Sequence, residues 1–411
     1  MKARVLLVAY YFPPLGMAGV GRPLNLFKQL PTFGYDCDIL TVKPVAYRRY
    51  EPELLDGLDL SRIYRAGSFD PQRIMYLLGI RQVNPRTIAR GSVVGEKLFP
   101  DSKIGWVRPA VRLGKKLHAR NPYAAVISTS PPISSHLVGM RLANECDIKW
   151  IADFRDLWTM RSAEETYADA QARSKAVELR KQFRDRATAI TAVNPAIQRY
   201  VQADEIITNG FDPETAVLWG RPAVGSTFNI GLLGSFNDQI PIEPLLKVIR
   251  RAIDLDPALA DSIRLTQVGD IDPSWLEQQL SKYGLRSMVD SRGYKPREES
   301  IKLLAPCAMM YIGIERGLGN IGTSRIFDLL ASGRPLMIYG DRDSELARLT
   351  VEAERFLFDD NTIDTAANYL HELNEKSRSG RLVIAPLPDH ARQHAWGEKA
   401  EQFAKLLDRI I

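Results

Sequence analysis

A chain of 411 residues exceeds what one ordinary core organises, so two domains are expected. Hydrophobic residues at 45% and charged residues at 25% are those of a soluble globular protein, and no apolar run nears the roughly 18–20 residues of a membrane span. Three cysteines, Cys37, Cys146 and Cys307, are too few and too scattered for a disulfide framework or zinc cluster and fit a reduced, cytoplasmic protein, while the net charge of +6 hides an uneven distribution whose basic stretch favours phosphate-rich partners.

The first strand reads as Arg4–Ala9 and breaks into a turn carrying Gly16, Gly19 and Gly21, followed by Arg22. That spacing, G-x-x-G-x-G, is not the dinucleotide fingerprint G-x-G-x-x-G, and the second strand, Cys37–Val42, is followed by Lys43 where the fingerprint needs an acid. A nicotinamide cofactor is therefore not expected. Such a turn lets backbone N–H groups approach an anionic or sugar ligand, with Arg22 beside it; a turn needed only for tight geometry is the alternative.

Between Gln72 and Arg120 eleven Lys or Arg stand against two acids, Glu96 and Asp101, a local +9. Within it, residues 106–120 read as a helix with Val107, Val111, Gly114 and Leu117 near one face and Arg108, Arg112, Lys115 and Lys116 largely elsewhere. This pattern suits the anionic face of a membrane, or is a plainly solvated helix. Nucleic acid is not expected, because stacking aromatics are not interleaved with these charges.

Further strands read at Ala125–Thr129, Lys149–Ala152 and Ala189–Ala192. Asp153, Arg155 and Asp156 lie just past one of them, where a doubly wound domain presents its loops, and two carboxylates around a guanidinium suit an acceptor hydroxyl or a structural ion pair. His136 reads as a helix-face residue rather than a base, and no histidine set suggests a metal. The stretch "NGFDPETAVLWGRPAVGS" lacks periodicity and marks a boundary. A second series follows at Phe228–Leu233, Arg264–Val268, Ala308–Ile312, Pro335–Ile338 and Arg355–Leu357, and a helical segment closes the chain. The expected organisation is α/β, with an N-terminal Rossmann-like domain over 1–205, a linker over 206–227, a second Rossmann-like domain over 228–385 and a terminal helix over 386–411.

The opening turn and five further stretches in order, "STSPPISSHLVGMRLA", "WIADFRDLWT", "ITNGFDPE", "RGYKPREESIKLLAPCAMMYI" and "GTSRIFDLLASGRPLMIYG", resemble the GT-B glycosyltransferases, in particular the retaining, nucleotide-sugar-dependent group called family four. The resemblance implies two doubly wound domains facing each other across a cleft, with the terminal helix crossing back to the first. It implies an acceptor-binding first domain and a second domain that binds a nucleoside-diphosphate sugar as co-substrate, UDP or GDP type undetermined, without metal or other cofactor. The family's two glutamates, counted back from "FDLLASGRP", fall on Asn320 and Asp328; this chain departs from the pattern at both, and Glu315 is a possible substitute. Asp328 would accept from ribose hydroxyls, and Gly322, Thr323, Ser324 and Arg325 would meet the diphosphate, or form an ordinary helix cap. Gly16, Gly19, Gly234, Gly269, Tyr294 and Lys295 complete the expected donor contacts, while Asp153, Arg155, Asp156 and Asn320 are the expected catalytic group.

The expected activity is transfer of a sugar to a polysaccharide, lipid-linked or other glycan acceptor, at the cytoplasmic face of a membrane if residues 72–120 touch one. A nucleotide-sugar 2-epimerase, or a degenerate sugar-binding subunit of a glycan assembly complex, are the alternatives.

Overall fold

The computed structural model describes residues 2–16, 18–83, 98–156, 170–222, 227–318 and 323–411. They form two compact units, Met1–Asn209 joined by Trp396–Ile411, and Gly210–Ala395.

The first unit is built on seven strands, β1 (Ala3–Val8), β2 (Tyr35–Val42), β3 (Ile63–Ala66), β4 (Ala125–Ser130), β5 (Lys149–Phe154), β6 (Ala189–Ala192) and β7 (Glu205–Ile206). They pair in parallel in the order β3-β2-β1-β4-β5-β6-β7. Val5, Leu6, Leu7 and Val8 are all buried, the continuous apolar run of a strand covered on both faces. The order turns at β1 and β4, so the loops leaving their carboxyl ends border the crevice where such sheets bind ligands. The helix Trp396–Ile410 belongs to this unit: Phe403 and Leu407 are buried in its core, and Asp408 bonds both Lys2 and the Tyr35 hydroxyl.

The second unit carries β8 (Phe228–Leu233), β9 (Ile263–Val268), β10 (Val289–Ser291), β11 (Met309–Gly313), β12 (Leu336–Tyr339) and β13 (Arg355–Phe358), parallel in the order β10-β9-β8-β11-β12-β13. Met309 and Tyr311 join one apolar cluster while Met310 and Ile312 join another, so alternate side chains feed cores on opposite faces of the sheet. Here the order reverses between β8 and β11. The aperiodic stretch after Asn209 is not a loose connection: Phe211, Ala216 and Trp219 are buried in this unit. Arg334 holds it there, its guanidinium 5.0 Å over the Trp219 ring and donating to the Trp219 carbonyl at 2.9 Å.

Candidate functional site

At the carboxyl ends of β8 and β9 two glycines let backbone pack on backbone. The Gly234 N–H donates to the Val268 carbonyl at 2.7 Å, and a Cβ on Gly269 would lie 2.3 Å from the Gly234 oxygen. Both have positive φ, +93° at Gly234 and +148° at Gly269, so no other residue fits either place without strain. Gly269 also donates to the Gly293 carbonyl at 2.9 Å, which brings Tyr294 to the rim, partly exposed. Lys295 beside it pairs with Glu299 at 2.8 Å, away from any free role.

Arg325 lies on this platform. Its Nη1 donates to the carbonyls of Leu233 (2.9 Å) and Ser235 (3.0 Å), its Nε to the Thr323 hydroxyl (3.2 Å). A Cβ on Gly234 would stand 2.9 Å from its guanidinium carbon, so that glycine also makes room for the charge. Burial lowers the Arg325 pKa to about 10, and no acid among the described residues acts on it. A half-buried cation held, among the described residues, by neutral groups alone is an unfinished electrostatic arrangement, and an anion would complete it.

Asp328, one helical turn further on, is buried, and burial raises its pKa to about 6 against the opposing pull of Arg297, with Asp212 adding to the rise. Arg297 is its ion-pair partner and so is not free for a diphosphate, as Arg292, paired with Asp290, is not. Ser324 precedes the helix Arg325–Ala331 without a side-chain cap bond. Glu315 is exposed just beyond β11, and its N–H bonds the Gln239 carbonyl in the loop after β8 at 3.0 Å. The expected contributions of Asn320 and Gly322 lie outside the described residues.

In the first unit several expectations are corrected. Asp153 is wholly buried and its oxygens are fully engaged, by Arg22 (2.9 and 2.7 Å), Thr129 (2.7 Å) and Thr191 (2.7 Å). Burial alone would raise its pKa, but the Arg22 charge and these donors hold it below the usual carboxylate range. It cannot reach an acceptor. Arg22 likewise does not face a ligand; it also donates to the carbonyls of Ile207 (2.8 Å) and Thr208 (2.7 Å), fastening the end of the unit to its centre. Gly16 makes room for Glu51, whose carboxyl carbon lies 2.2 Å from where a Cβ would be. His136 is fully buried, with Nδ1 2.8 Å from the Ser128 hydroxyl, Nε2 without a partner among the described residues, and a pKa lowered to about 3 by burial. The apolar side of the helix Ile104–Arg120, read as suiting a membrane face or a plainly solvated helix, is core: Trp106, Val107, Ala110, Val111 and Leu117 are buried.

Arg155 ties together the two loops at the order reversal, donating to the carbonyls of Gly19 (2.7 Å) and Ser130 (2.7 Å). Asp156 next to it is exposed. Around the same loops sits a polar group that no motif announced. Tyr10 donates to Asp70 at 2.8 Å, Lys103 lies 3.5 Å from Asp70, and Asp101 accepts from the N–H and hydroxyl of Ser134 at 2.8 and 2.7 Å. These residues are distant in sequence and meet only because β1, β3 and β4 deliver their loops to one end of the sheet. The doubled tyrosine after an apolar strand was the sole local sign of them.

No family model and no curated protein matches the chain. Glycosyltransferases, and with them sugar-nucleotide epimerases, are among the solved structures that share its fold. Sucrose-phosphate synthase from Thermosynechococcus elongatus superposes with a TM-score of 0.67 at 15% identity, covering 100% of this chain and 99% of that one. Anabaena HepE in complex with UDP-glucose gives 0.62 at 15% identity over 99% and 100%. UDP-N-acetylglucosamine 2-epimerase gives 0.53 at 14% identity over 99% and 95%. At such identities the likeness concerns the fold, and the fold is GT-B.

Proposed function

We propose that the chain transfers a sugar, with retention and without a metal, from a nucleoside-diphosphate sugar to a polysaccharide, lipid-linked or other glycan acceptor, as family-four enzymes do. The observation that carries this reading is the half-buried Arg325 guanidinium, which has no acidic partner among the described residues, set on a glycine platform at the carboxyl end of β8. A diphosphate supplies the missing charge, and the same cation then stabilises the negative leaving group as the sugar departs. Asp328 would exchange its bond to Arg297 for the ribose hydroxyls, Tyr294 would stack on the base, and Glu315 would stand near the donor sugar. Asp156 and the loops held by Arg155 would receive the acceptor.

Thermal shifts with UDP, GDP and ADP identify the base; a ligand at 100 times its dissociation constant adds about 2.7 kcal/mol of stability. Arg325→Ala should cost about 1.5–3 kcal/mol of diphosphate affinity and leave nucleoside affinity nearly unchanged. An equal loss for both ligands would overturn the assignment.

Asn320 and Asp328 in place of two glutamates favour one other reading, a sugar-nucleotide-binding subunit without catalysis. Hydrolysis of the donor in the absence of acceptor excludes it, and conversion of donor alone into its 2-epimer would instead identify an epimerase.

A further inference from the structure

The helix Ile104–Arg120 contains no acidic residue. Its outward side carries Arg108, Arg112, Lys116 and Arg120, spaced four apart along one ridge and all exposed. Like charges at this spacing repel one another and weaken a helix. Lys115 beside them bonds Glu145 at 2.7 Å, but among the described residues none of the four has a carboxylate partner. Nothing within the fold accounts for such a ridge.

A second feature abuts its first turn. The Phe69 N–H donates to the Gly105 carbonyl at 3.3 Å, and a Cβ on Gly105 would press to 2.9 Å from the Phe69 backbone. The Phe69 ring is 78% exposed, followed by Leu77 at 66% and Leu78 at 76%, with Ile74 and Ile80 about half exposed. Arg73 and Arg81 lie over the ring of Tyr76 between them, at 5.5 and 4.0 Å. Exposed apolar residues normally occur singly; five within twelve positions form a patch that a partner is expected to cover.

Cations alone would suit any polyanion, and an apolar patch alone would suit another protein. An apolar patch bordered by arginines and continued by a cationic ridge has the two-part chemistry of a bilayer interface, acyl chains beneath and phosphates around. We propose that this face of the first unit docks on the surface of an anionic phospholipid bilayer, with Phe69, Leu77 and Leu78 entering the headgroup boundary and the ridge lying on the lipid phosphates. No helix among the described residues is long and apolar enough to cross a membrane, so the contact is lateral. It does not depend on which reaction the chain performs.

The test is co-sedimentation of the full chain with phosphatidylcholine vesicles, with and without phosphatidylglycerol, at low salt. Binding should require the anionic lipid. Replacing Arg108, Arg112 and Lys116 together by Gln should weaken it about a hundredfold, near fivefold per cation. Phe69→Ser with Leu78→Ser, at unchanged charge, should weaken it by about tenfold or more. The thermal unfolding of the first unit, followed by calorimetry on the same variants, should stay at the wild-type temperature and reports that this unit is folded. Wild-type protein that ignores anionic vesicles at low salt overturns the proposal. So does a serine pair that binds like wild type, because the ridge would then answer to any polyanion.

Discussion

Asp153 and Asp156 close the same strand, yet only Asp156 is exposed where a substrate would meet it. Asp153→Ala would leave Arg22 buried without its counter-charge, a loss of about 3–5 kcal/mol that thermal unfolding will register. Asp156→Asn should cost less stability than that while transfer falls about 10²–10⁴-fold, if its carboxylate orders the acceptor. The reverse pattern would exchange the two roles. His136 gives a pH signature. Its folded pKa of about 3 lies below the ordinary histidine value because burial disfavours the cation. The unfolded chain therefore binds the extra proton first, and the first unit loses stability as pH falls from about 6.5 towards 3, by up to about 1.4 kcal/mol per pH unit. Asp328, raised to about 6, works the other way: its contribution is complete at low pH and is lost as pH rises through that value. Calorimetry between pH 4 and 7 should find the first unit weakening on acidification, and His136→Gln should flatten that slope. A slope unchanged in the variant would assign it to other groups.

At the scale of elements, the strands legible in the sequence are those with long apolar runs, and their observed ends differ from the expected ones by a residue or two. The three that were missed, β3, β7 and β10, all lie at sheet edges. An edge strand is short and half solvated, so it lacks the continuous hydrophobic signal of a covered one; Val289, Asp290 and Ser291 have nothing to distinguish them from a loop. Arg325 and Gly234 were named from the sequence as expected donor contacts, but that the glycine makes room for the guanidinium is a tertiary fact. Asp153 was misread for the opposite reason. Position past a strand's core is visible in sequence, whereas the direction of a side chain depends on Arg22, Thr129 and Thr191 arriving from three other segments. The helix Ile104–Arg120 shows the same limit: its amphipathic pattern was plain, but what covers the apolar side was not, because a core and a membrane ask for the same apolar stripe.

Across the whole molecule the two units differ in how the chain closes them. The second is one uninterrupted stretch, Gly210–Ala395, and the first needs residues from both ends. Removing residues 396–411 would uncover the sites of Phe403, Leu406 and Leu407, each worth about 1.5–3 kcal/mol when buried, together a large part of an ordinary domain's stability. The truncated chain should keep the unfolding transition of the second unit and lose that of the first; retention of both would show the helix to be dispensable. The order of synthesis then runs against the order of completion. The amino-terminal half leaves the ribosome first but waits, with the seat of Phe403 open beside Arg22, until the last helix has been translated. Its partner, begun later, can finish earlier. A nascent chain of this design passes through a long interval as one settled domain and one unfinished sheet, and this is the interval in which chaperones or proteases would find it.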